Sequence, residues 1–73
     1  MAATFPIELD TGLVNCESHE DQETLEAAQE ILRTGVSATH SAEQLANMIE
    51  VCNRYGQDSM ARYLEPHLDR AWM

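Results

Sequence analysis

The sequence contains no lysine, and its only strong cations are Arg33, Arg54, Arg62 and Arg70. Against them stand 13 Asp and Glu residues, for a net charge of −9. The missing lysine removes P-loop phosphate binding and Schiff-base chemistry, both of which need its amine. The acidic excess argues against a generic nucleic-acid or anionic-membrane binder, because those surfaces repel an anion. It favours solubility and attraction to basic surfaces. The three glycines are isolated, so no glycine-rich loop exists to cradle a phosphate. Two cysteines, Cys16 and Cys52, are too few for a disulfide framework. They fit a cytoplasmic chain with reduced thiols, a single Cys16–Cys52 bond being the alternative. No apolar run approaches the ~20 residues of a spanning helix. Met1–Thr4 lacks the basic segment of a signal peptide.

What is present reads as one small domain over residues 1–73. It divides into an extended arm, 1–17, and a helical bundle, 18–73. In the arm, Phe5, Ile7 and Leu9 alternate with Pro6, Glu8 and Asp10, which is strand period. Asp10-Thr11-Gly12 is a turn signal and Leu13-Val14 follows, so the arm can close into a short β-hairpin. Pro6 suits an edge strand. Two strands are unstable alone in water, so the arm must pack on helices or on a partner.

The first helix is predicted to start at Ser18, with Asp21 three residues on as a partial capping box. Leu25, Ala28 and Leu32 form its apolar stripe, with Ile31 on the edge, and Gly35 closes it. The second has the clearest signature. Ser41-Ala42-Glu43-Gln44 is a full capping box, and Leu45, Met48, Ile49, Cys52 and Tyr55 follow at helical spacing. Glu50 and Arg54 pair at i,i+4, as do Asp58 and Arg62 in the third. Asp58 caps that third helix, and Met60, Leu64, His67, Leu68 and Ala71 share one face. Pro66 interrupts it, so the helix either kinks there or ends near Leu64, with Pro66 opening a fourth short turn. The fold class is therefore mostly α: a three-helix bundle, or four helices with that last turn, plus an N-terminal arm or hairpin.

The charge is unevenly placed. Residues 1–32 hold eight acids and no Arg, whereas 33–73 hold five acids and four Arg, so the halves carry −8 and −1. Glu23, Glu26 and Glu30 fall on one helical face opposite Leu25, Ala28 and Leu32. Like charges at these spacings cost a few tenths of a kcal/mol each. With Glu20, four carboxylates span about 15 Å, one per ~5 Å. A DNA strand presents a charge every ~3.4 Å, so the stripe is sparser than a backbone yet long enough for a phosphate-binding groove. The expected contact residues are Glu20, Glu23, Glu26 and Glu30, with Glu17 and Asp21 at the edge. A plainly solvated acidic face is the competing account of the same residues.

Catalytic and metal constellations are thin. Asp10-Thr11-Gly12 is the aspartic-protease tripeptide, but Leu13 replaces the small residue that follows it there, and the helical pattern does not suit that all-β family. Cys16-Glu17-Ser18-His19 has metal-ligand spacing, but no second close-spaced pair accompanies it; Cys52, His40 and His67 are scattered. Cys16 beside His19 is no activated thiol, because Glu17 and Glu20 would raise its pKa. Neither G-x-S-x-G nor H-E-x-x-H occurs. Tyr55, Tyr63 and Trp72 read as packing residues or, for the terminal Trp72-Met73, as a partner anchor. No enzyme activity, cofactor or metal is expected.

In its composition alone, the chain resembles small acidic phage-encoded inhibitors of nucleic-acid machinery, anti-CRISPR proteins among them, and also acidic antitoxins. That resemblance implies a DNA-mimic inhibitor on the basic, nucleic-acid-binding surface of a partner protein, touching neither nucleic acid nor membrane itself. It assigns no residues. The alternative is a structural or assembly protein, a helical homodimer or small subunit that uses Tyr55, Tyr63 and Trp72.

Overall fold

The computed structural model describes residues 4–35 and 40–71. The chain forms β1 (Phe5–Leu9), β2 (Gly12–Cys16), α1 (His19–Thr34), α2 (Ala42–Arg54) and α3 (Asp58–Ala71). This is a mostly α, three-helix fold with a hairpin ahead of it. The strands pair antiparallel, from Phe5 opposite Cys16 to Leu9 opposite Gly12. Asp10 and Thr11 form the turn with negative φ, and the left-handed step falls on Gly12 at φ 122°, a backbone that glycine takes without a Cβ penalty.

Alternation settles which face of the hairpin is inside. Phe5, Ile7, Leu9, Val14 and Cys16 belong to the core side, whereas Pro6, Glu8, Leu13 and Asn15 are exposed. The single core draws on every element: Leu9 and Cys16 from the strands, Leu25, Ala28 and Ile31 from α1, Leu45 to Cys52 from α2, and Met60, Ala61 and Leu64 from α3. At about 25 cal/mol per Å2 of apolar surface, this shared burial is what stabilises a hairpin too small to stand alone.

The helix ends follow their sequence signals. The Ser18 hydroxyl accepts the Asp21 N–H at 3.1 Å. Ser41 and Gln44 complete the reciprocal capping box: the Gln44 N–H donates to Ser41 Oγ at 3.2 Å, and the Ser41 N–H to Gln44 Oε1 at 2.9 Å. Beyond α2, the Gln57 N–H reaches the Cys52 carbonyl at 2.7 Å and the Gly56 N–H the Asn53 carbonyl at 3.2 Å. With Gly56 at φ 74°, this is a Schellman closure, and it folds α2 and α3 into a tight αα-hairpin.

Four expectations need correction. First, α3 runs unbroken to Ala71, so Pro66 opens no fourth turn. Its ring points to solvent and the lost N–H costs one bond in a helix anchored by Met60, Ala61 and Leu64. Second, Asp58 is the first helical residue rather than the cap, and no Asp58–Arg62 pair forms among the described residues, whereas Glu50–Arg54 does at 3.5 Å. Third, Ile31, not Leu32, completes the buried stripe of α1. Fourth, Val51 joins the core, because α2 packs between α1 and α3 and so buries a wider arc than one stripe. The Val36–His40 connection beyond His40 itself, and Trp72-Met73, lie outside the described residues. No helix among the described residues is long and apolar enough to cross a membrane.

Candidate acidic interaction surface

Ser18 fixes where α1 begins, and that sets the angular position of every carboxylate after it. Leu25, Ala28 and Ile31 turn inward, and Glu20, Glu23, Glu26 and Glu30 are left on the exposed side. No cation pairs with Glu20, Glu26 or Glu30 among the described residues. Glu23 has a neighbour in His19, whose Nδ1 lies 3.4 Å from its carboxylate and whose ring meets Phe5 edge-on.

The surface is broader than the sequence suggested. Glu20 lines a shallow groove between α1 and α2 together with Glu43 and Glu50, with Gln44 and Asn47 between them. A neighbouring depression runs from Glu20 and Glu23 over Ala27 and Met48, giving the acidic rim a partly apolar floor. On the other flank, Glu26 and Glu30 face Glu8 of β1. Glu43 and Glu50 stand seven residues apart, two helical turns, so their common face was visible in the sequence. That this face meets Glu20 was not, because only the packing of α1 on α2 decides it.

Asp21 is placed differently from the residues it was grouped with. Its side chain is only 13% exposed. Its Oδ2 accepts the Tyr55 hydroxyl at 2.7 Å and lies 3.3 Å from Arg54 Nη1. The same Tyr55 oxygen accepts the Glu17 N–H at 2.8 Å. Asp21 therefore ties α1 to the end of α2, and its charge is used inside the molecule. Glu17 contributes its backbone to this cluster while its side chain stays exposed. The Tyr55 pKa is raised, first because its hydroxyl donates to Asp21 and the bond is lost on ionisation, with a smaller opposing pull from the Glu17 N–H.

Arg33 and Arg54 are both committed. Arg33 sits 3.4 Å from Asp10, and Arg54 bridges Asp21 and Glu50. Asp10 also accepts Gln29 Nε2 at 2.8 Å, which satisfies the one buried polar side chain of the described residues. The Asp-Thr-Gly tripeptide is thus spent on anchoring: Asp10 to α1, and Thr11, through its hydroxyl at 2.6 Å, to Gln57.

Cys16 and Cys52 are free and buried. Burial raises both thiols, Cys52 to about 11, and for Cys16 the Asp21 charge adds to it. The charge acting on Cys16 is that of Asp21, not of Glu17 and Glu20 as the sequence suggested. No cluster of three or more His, Cys, Asp or Glu side chains is arranged to hold a metal ion among the described residues. His67 is half-buried on α3 and its ring lies tilted at 50° against that of Tyr63, their centroids 5.3 Å apart.

Compared with protein-family models, curated proteins and solved structures, the chain finds no match in any of the three.

Proposed function

We propose that this chain is a small acidic protein-binding module that occupies the basic, nucleic-acid-binding surface of a partner protein and blocks it. One observation carries the reading: Glu20, Glu26 and Glu30 lie along one exposed face of α1 with no ion pair among the described residues, although the chain has four arginines, Arg33 in the last turn of that helix among them. Two of those arginines are held by Asp10 and by Asp21 and Glu50, and the other two, Arg62 and Arg70, sit on α3. Glu43, Glu50 and Glu8 widen the face to both sides. The contact set is Glu20, Glu23, Glu26 and Glu30, with Glu17 beside them. Asp21 supports α1 from within. The module works without catalysis, cofactor or metal, in the cytoplasm, where both thiols stay reduced.

The test is capture of the partner from the native host at low ionic strength, followed by direct titration. Binding should weaken steeply with salt and compete with the partner's nucleic acid. The triple variant Glu23→Gln, Glu26→Gln, Glu30→Gln should lose at least about tenfold in affinity, roughly 1.4 kcal/mol. Unchanged affinity in that variant would sink the proposal.

The assembly reading has lost part of its footing. Tyr55 is engaged with Asp21 and Glu17, which leaves Tyr63, 40% exposed, as its remaining described aromatic. Light scattering over a range of concentrations separates the two, since a strict monomer removes the homodimer.

A further inference from the structure

The two strands of the hairpin have unequal outer edges. When two residues close a hairpin, the flanking pair exchanges both main-chain bonds, and the exchange recurs at every second pair. The bonded pairs are then Leu9–Gly12, Ile7–Val14 and Phe5–Cys16. The main-chain groups of Pro6 and Glu8 on β1, and of Leu13 and Asn15 on β2, point away from the ladder.

On β1 that edge is closed at Pro6, and at Glu8 it faces the depression lined by Glu26 and Glu30 of α1. Pro6 has no N–H to offer, its carbonyl accepts Gln22 Nε2 at 2.8 Å, and α1 runs alongside. On β2 it is open. Neither α2 nor α3 brings its backbone near the strand, and no group among the described residues bonds to the outward groups of Leu13 or Asn15. The turn after α2 takes up both ends of this edge: the outward Glu17 N–H donates to the Tyr55 hydroxyl and the Thr11 hydroxyl to Gln57, so the free stretch runs from Leu13 to Asn15. Natural edges are usually blunted by a lysine, a proline or a bulge. The run Gly12-Leu13-Val14-Asn15-Cys16 has none of these, and Leu13 is 68% exposed.

We infer that the outer edge of β2 is a docking site for an extended basic segment of another protein, which adds to the hairpin as a third strand. Charge selects the occupant. Glu8 stands cross-strand from Leu13, Glu17 follows β2, and no Arg or Lys occurs from Thr4 to Ser18. A second copy would bring the same acids and the same −9 to the contact. A strand alternating cations with aliphatic side chains would instead bond Leu13 and Asn15 and set its cations on the face that carries Leu13 and Glu17, their methylene stems covering the Leu13 side chain. The site uses none of Glu20, Glu23, Glu26 or Glu30 and stands independently of the function proposed above.

The experiment is amide exchange and NMR titration of the full chain with a nine-residue peptide of alternating Lys and Val. The Leu13 and Asn15 amides should shift and exchange at least about tenfold more slowly, and an alternating Glu-Val peptide should leave them unchanged. Asn15→Pro removes one outward N–H at the position opposite Pro6 and should abolish the effect. Leu13→Lys, at an exposed site, makes the same test by repulsion if the proline variant does not fold. The Glu23→Gln, Glu26→Gln, Glu30→Gln variant should respond like the parent, so failure of the α1 face leaves this result standing. The inference is overturned by no protection with the Lys-Val peptide or by equal protection with the Glu-Val one. It is also overturned by an undiminished response in the folded variants. Protection that appears with protein concentration alone would assign the edge to a second copy and overturn it as well.

Discussion

Tyr55, at the end of α2, donates its hydroxyl to Asp21 in the first turn of α1 across 2.7 Å, joining residues 34 positions apart. The bond removes the most internal of the N-terminal carboxylates from the contact surface and makes it a structural tie. Asp21→Ala should lower stability by roughly 1–3 kcal/mol, because the Tyr55 hydroxyl loses its acceptor and Arg54 keeps only Glu50. Tyr55→Phe should lower it as well, and the double variant should fall short of the sum. Urea midpoints of the three variants check this; simple additivity would break the link.

Stability should decline as pH rises above about 9. The Cys16 and Cys52 thiols and the Tyr55 hydroxyl are all raised in the fold, Cys52 from 9.0 to about 11. The folded state therefore keeps protons that the unfolded chain has released. Their contribution is intact below the unfolded pKa values and is lost as pH climbs through the folded ones. Denaturant midpoints from pH 7 to 11 should be flat at first and then fall, and Cys52→Ala should shallow the fall.

Native thiols should also label slowly. At pH 8, a pKa moved from 9.0 to about 11 leaves Cys52 with about a hundredth of the thiolate of an unfolded chain, before burial hinders the reagent further. A thiol-reactive chromophore should report both cysteines only after unfolding. Rapid reaction of Cys52 in the native state would contradict its burial.

Glu26 and Glu30 lie one turn apart with no cation between them, and Glu30 sits toward the negative end of the α1 dipole. Changing both to Gln should stabilise the protein by roughly 0.3–1 kcal/mol at low ionic strength, with the gain shrinking in about 1 M salt. A gain in stability together with a loss of partner binding would mark the pair as kept for contact rather than for folding. Thermal melts at two salt concentrations read the first half of that statement.

Pro66→Ala should raise stability by about 1–3 kcal/mol, because α3 continues through this position and alanine restores an N–H facing the Arg62 carbonyl. A destabilised variant would mean that the ring fits the local backbone better than a regular turn does.

Periodicity and end signals were enough for the elements. The Phe5-Ile7-Leu9 alternation, the Ser18 and Ser41 caps and the Gly35 and Gly56 stops are local chemistry, written within a few residues of where they act. So is the side of α1 that carries Glu20, Glu23, Glu26 and Glu30, since a helix fixes its faces by a repeat of 3.6 residues. Pro66 was misjudged because a local cost of one hydrogen bond was weighed without the packing that outweighs it. Ile31 and Asp21 were misplaced, and Val51 passed over, for a related reason: the repeat gives an angle about the helix axis but not what lies beyond it. Only the tertiary structure decided that α2 has two neighbours, that Tyr55 reaches Asp21, and that Glu43 and Glu50 meet Glu20. It also decided that α1 takes up the Pro6 end of the β1 edge and that Leu13 and Asn15 of β2 stay free between the Gln57 and Tyr55 ties, because contacts between distant residues depend on how whole elements pack.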